Sequence, residues 1–157
     1  MAIAQRIADH LDDTTVTLMP KVLDGTSQIT PDASLVGLVF PNYFGGVPQI
    51  VLEFLQKIDF SEADYIFSVV TGGKGHGRCF GQLQQVLAEK NSRLDYGKSV
   101  LGLSNYIVGW YYSFVCKTGA ERDRVLEYSS QKAVEIAKDI TNRKTGVEKD
   151  QAVSYCV

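Results

Sequence analysis

A chain of 157 residues holds one domain with its own core, and a composition 45% apolar and 22% charged is too rich in core-type side chains for a disordered tail. Sixteen Lys and Arg against 18 Asp and Glu give a formal net charge of −2, which excludes the strongly basic balance of a nucleic-acid binder. Cys79, Cys116 and Cys156 are odd in number and far apart, so neither a disulfide framework nor a CxxC metal or redox motif is available, and a reduced, cytoplasmic setting is favoured.

Ile3, Ile7 and Leu11, with Ala4 and Ala8 beside them, recur every fourth residue and predict a helix that opens almost at residue 1. The stretch has no continuous apolar core of the kind a signal peptide needs. Thr15–Met19 reads as a short strand closed by Pro20, followed by a polar connection from Asp24 to Asp32. Leu35-Val-Gly-Leu-Val-Phe40 is apolar on both faces, the pattern of a central parallel strand covered by helices, and Pro41 ends it. Pro48 then opens a helix whose apolar positions are Val47, Ile50, Val51, Phe54, Leu55 and Ile58.

Tyr65-Ile-Phe-Ser-Val-Val70 repeats the buried-strand pattern and runs into Thr71-Gly-Gly-Lys-Gly-His-Gly77. Phe80, Leu83 and Leu87 mark the inner face of the next helix, and Ser99–Leu103 reads as another strand. Thr118-Gly-Ala-Glu121 has the spacing of a capping box before a long helix that buries Ala133, Ile136, Ala137 and Ile140. The uncharged runs Ala33–Leu52 and Ser99–Cys116 are broken by Pro, Gly and Asn, so they read as strands entering loops and not as membrane spans. Strands alternating with helices predict the α/β class with a doubly wound parallel sheet, although no strand precedes the first helix.

In such sheets ligands bind outside the carboxyl ends of the strands, which directs attention to the segments after Phe40, Val70 and Leu103. The first, Pro41-Asn-Tyr-Phe-Gly-Gly-Val-Pro48, carries two aromatics on a proline-bounded loop, suited to stacking on a flat heterocycle or to plugging the gap between loop and helix. The second, Thr71–Gly77, offers backbone N–H groups to anionic or carbonyl oxygens, or is a flexible surface turn. No GxGxxG or phosphate-binding P-loop can be laid on the chain. His10 and His76 share no metal-ligand spacing and read as solvated. Cys79 sits in a helix's first turn beside Arg78, where dipole and charge lower a thiol pKa, although packing is the commoner use. Trp110, Tyr111 and Tyr112 read as core or interface aromatics, and no hydrolytic triad or carboxylate pair has motif spacing.

Taken together, Leu35–Pro48, Tyr65–Gly73 and Leu103-Ser-Asn-Tyr106 resemble the flavodoxin family, in particular the flavodoxin halves of bacterial proteins that join such a domain to a ferredoxin-type iron–sulfur module. The resemblance implies a flavodoxin-like domain over residues 1–145 that is N-terminally truncated, with the first strand and phosphate loop absent, and a tail over 146–157. It implies non-covalent FMN binding and electron transport. An FMN-dependent oxidoreductase of a quinone- or porphyrin-like substrate, for which Trp110–Tyr112 would help form a pocket, and a remnant or interaction domain without flavin are the alternatives.

By the same resemblance, Pro41, Asn42, Tyr43, Phe44, Gly45, Gly46 and Val47 pack against the isoalloxazine. Thr71, Gly72, Gly73, Lys74, Gly75, His76 and Gly77 bond its pyrimidine edge and N5 region, and Asn105 lies in the turn after the last strand. The expected partner is a redox protein of the ferredoxin type, with no nucleic acid and no membrane. Exposed sheet edges on either side of a gap, near Val16 and near Val39, would invite homo-oligomers. Loss of the phosphate cradle weakens FMN binding.

Overall fold

The apolar runs beginning at Leu35 and Tyr65 fold as strands, the second covered on both faces, in the computed structural model, which describes residues 2–24, 29–73, 75–103 and 118–152. The strands are β1 (Leu35–Pro41), β2 (Tyr65–Gly72), β3 (Tyr96–Leu101) and the two-residue β4 (Gly146–Val147). They lie side by side in chain order and all run parallel, with Leu35 opposite Tyr65, Phe67 opposite Tyr96 and Tyr96 opposite Gly146. The helices are α1 (Ala2–Ala8), α2 (Met19–Leu23), α3 (Gln49–Lys57), α4 (Cys79–Glu89) and α5 (Gly119–Thr141).

Side chains alternate across each strand; both sets are buried in β2, whereas in β1 Val36, Leu38 and Phe40 are buried and Leu35, Gly37 and Val39 are not. Val36, Leu38 and Phe40 of β1 with Ile66 and Val70 of β2 pack against Val51, Phe54 and Leu55 of α3 and Phe80, Leu83 and Leu87 of α4. Tyr65, Phe67 and Val69 face the other way, against Ile7 of α1 and Ala133, Ile136, Ala137 and Ile140 of α5. Each large side chain withdrawn in this way stabilises the fold by about 1.5–3 kcal/mol relative to exposure. The result is an α/β, flavodoxin-like doubly wound parallel sheet with one helical layer on either face.

The lower ends of the strands are fixed by polar contacts. Asp95 accepts from the Ile66 amide at 2.9 Å and from Arg93 Nε at 2.8 Å. The Tyr96 hydroxyl donates to Asp139 at 2.7 Å, which lowers the carboxyl pKa of Asp139 and, with burial as the larger cause, raises that of the phenol.

Several expectations are corrected. Residues 14–18 form no strand: Thr15-Val16-Thr17-Leu18 alternates locally but pairs with no neighbouring strand, and Pro20, expected to close a strand, instead sits at the start of α2. Among the described residues there is therefore no edge near Val16, and the only exposed edge next to the gap is that of β1, which is an outer strand and not a central one. Ile50, expected in the core, is 39% exposed. Thr118 is the N-cap of α5 but makes no side-chain cap bond. β4, within the expected tail, pairs with β3. No helix among the described residues is long and apolar enough to cross a membrane.

Candidate functional site

The carboxyl ends of β1 and β2 emit two loops that are built against each other. Tyr43 N–H donates to Gly46 O at 3.1 Å and Gly46 N–H to Tyr43 O at 3.0 Å, closing a two-residue turn. Its central residues, Phe44 (φ 50°) and Gly45 (φ 77°), both have positive φ, as in a type I′ turn. The turn holds its aromatic pair in water, with Tyr43 56% and Phe44 74% exposed, so these rings do not plug the space beneath the loop.

The glycine loop is pinned from two sides. Asn42 donates from its backbone to Thr71 O (2.7 Å) and from Nδ2 to Gly75 O (2.8 Å), and the Arg78 amide donates to Gly45 O at 2.7 Å. Gly77, with φ 57°, lies so close to Gly45 that a Cβ would overlap the latter's backbone. A side-chain amide from α4 joins them: Gln82 Oε1 accepts from the Val47 N–H at 2.8 Å. The loop after β2 is thus a docked structure and not a loose turn.

The third restraint comes from the segment after β4. Glu148 Oε2 accepts from the Ser99 amide (3.0 Å) and hydroxyl (2.6 Å), and its carboxylate pairs with Lys98 at 3.6 Å. His76, expected to be solvated, is 1% exposed: its ring tilts against Phe80 with centroids 4.6 Å apart, and Nε2 lies 3.0 Å from Lys149 O. A proton on Nε2 fits that carbonyl, leaving Nδ1 with Glu148 Oε2 at 3.6 Å. Gln151 N–H donates to Gly77 O at 2.8 Å, and Asp150 Oδ1 accepts from the Gly81 amide at 3.0 Å in the first turn of α4.

That carboxylate and full burial overturn the lowered pKa expected for Cys79 and bear out the packing reading. The thiol is 0% exposed, with Asn42 Oδ1 3.9 Å away, and burial followed by the Asp150 charge pushes its pKa up to about 12. It is a packed, unreactive cysteine.

The structure therefore brings together Pro41–Val47 with Thr71, Gly72, Gly73, Gly75, His76 and Gly77. Lys74, Asn105 and Trp110–Tyr112 lie outside the described residues. Sequence reasoning missed Gln82 and the Glu148–Gln151 segment; nothing in the polar tail's spacing marks it as a strap, and only its position after the last long helix hints that it returns to the sheet. Among the described residues no cluster of His, Cys, Asp and Glu could hold a metal ion. No family model, no curated protein and no solved structure matches this chain.

Proposed function

We propose that this domain is a flavodoxin-type, electron-transferring flavoprotein that binds the ring of FMN across the crest formed by the loops Pro41–Val47 and Thr71–Gly77. The observation that carries the reading is the Tyr43–Phe44 pair. A bulky non-glycine residue with φ 50° costs about 1–3 kcal/mol, and the turn that carries this cost presents Tyr43 and Phe44 to solvent at 56% and 74% exposure. Gly or Asn at position 44 would serve the turn better, so the rings are held there for a flat, apolar surface to stack upon. The docked glycine loop beside them offers close backbone approach, and the crest is where open parallel sheets take their ligands.

The residues fit the ring better than the phosphate. In the first turn of α4, which follows the glycine loop, the Gly81 amide already donates to the Asp150 carboxylate, and α1 is only seven residues long. Most of the affinity is then assigned to the ring, and the phosphate adds little. When bound, FMN supplies the one- or two-electron chemistry, while Tyr43 and Phe44 stack against the ring and loop amides set the polarity at its edge. The electrons pass to and from a redox protein of the ferredoxin type, in a reducing, cytoplasmic compartment.

The test is a fluorescence-quenching titration with FMN and with riboflavin. Dissociation constants on the order of micromolar, within about tenfold of each other, are expected. Tyr43→Ala should weaken both equally. No quenching by either at about 100 µM would end the flavin reading, since a micromolar site is then nearly saturated.

A further inference from the structure

A cleft of about 1070 Å³ runs along the free edge of β1, between the two helical layers. We propose that it is a strand-acceptor site, which takes an extended apolar segment of another polypeptide running parallel to β1 with a basic residue at its N-terminal end. The proposal does not rest on the flavin reading.

The backbone specifies the occupant. Ser34 O accepts from the Tyr65 amide at 3.0 Å and the Asn42 amide donates to Thr71 O at 2.7 Å, so the even-numbered residues of β1 bond to β2. In a parallel ladder N–H and C=O of one residue share a side, and sides alternate along the strand. Leu35, Gly37 and Val39 therefore turn their donors and acceptors into the cleft, where among the described residues no strand meets them. Only another extended backbone matches that row, and a row this long with no charged residue in the strand is an unprotected template.

The dimensions agree. A seven-residue strand is about 23 Å long, and with strand spacing near 4.8 Å and layer spacing near 10 Å it fills about 1,100 Å³. Ile7 and Leu11 line one wall, Met19, Ile50 and Phe54 the other, so both faces of the occupant must be apolar. The charges lining the cleft are Asp12, Asp13, Asp32, Arg143 and, when protonated, His10. Arg143 already lies 5.2 Å over the Tyr65 ring. Asp32, exposed and just ahead of β1, marks the end at which a parallel strand would enter, which sets the preference for Lys or Arg there.

The experiment is fluorescence anisotropy of a labelled peptide, Lys-Lys-Val-Ile-Val-Ile-Val-Ser-Gly, against the whole chain, with the reversed sequence as comparison. Saturable binding in the micromolar range is expected, at least tenfold weaker for the reversed peptide. Val39→Pro removes one cleft-facing N–H without touching the β2 ladder and should weaken binding at least tenfold. Asp32→Lys, a surface change that leaves folding intact, should weaken it about threefold or more at low salt. The proposal is overturned by absence of binding at about 100 µM, by equal binding of the two peptides, by Asp32→Lys having no effect, or by light scattering that shows a stable dimer unable to take the peptide.

Discussion

Replacing Gly77 by alanine tests whether the two crest loops are truly one docked unit. The added methyl would stand 2.6 Å from the Gly45 carbonyl carbon, with the Gly45 Cα and oxygen nearer still, and all three are backbone atoms that no rotamer change can move. At φ 57° the alanine also pays for a left-handed backbone, about 1–2 kcal/mol, and forcing a carbon into packed backbone costs about 1–3 kcal/mol more. The sum is about 2–5 kcal/mol, a large part of a domain's usual stability. Gly119→Ala is the internal control: φ is 55°, but a Cβ there meets nothing within 4 Å among the described residues, so only the backbone cost of about 1–2 kcal/mol applies. Urea denaturation followed by circular dichroism measures both. Equal losses for the two variants would show that Gly45 and Gly77 are not in contact, and the account of the crest would fail.

Phe44→Gly keeps the positive-φ turn while removing the ring, and should weaken flavin binding at least tenfold; unchanged flavin affinity would mean that the Phe44 ring is not a stacking surface. Asp139 has its carboxyl pKa lowered by the Tyr96 hydroxyl, so its contribution is present above the ordinary carboxylate range and is lost as pH falls through the folded-state value. Tyr96→Phe should cost about 1.5 kcal/mol at neutral pH and flatten the loss of stability below the ordinary carboxylate range; an unchanged acid slope speaks against the pair. The Cys79 thiol pKa is raised to about 12, and burial favours its neutral form, so its contribution is complete below about 9 and declines as pH climbs towards 12. Cys79→Ala should remove the part of the alkaline loss that begins near pH 9. Reaction of the native thiol with a disulfide reagent at pH 8 as fast as in urea would contradict its burial.

The strands at 35 and 65 were legible because each is a run without a charged residue, buried on both faces at 65, and the helices at 80 and 133 because burial on one face leaves a stripe. Residues 14–18 misled because β-branched threonines suit a strand locally, whereas only a neighbour to pair with makes one, and sequence spacing carries no record of neighbours. Ile50 fits the helical stripe but stands on the flank that faces the cleft. At the candidate site, the glycines of 71–77 signalled close approach correctly without saying to what. For Gly75 it is the Gln151 side chain and for Gly77 it is Gly45. His76 is held by a tail whose polar residues bond across the fold through carbonyls and carboxylates that no periodicity exposes, and Cys79 has its pKa raised first by burial in the core and then by Asp150 of that tail.

That tail has a kinetic meaning. Its hold on the domain is almost wholly polar, so it is the natural first part to lift. When it lifts, the amides of His76, Gly81 and Ser99 lose their acceptors in a single event, although they belong to a loop, a helix and a strand. In deuterated solvent these three should therefore share one protection factor, well below that of the Val69 amide at the centre of the sheet.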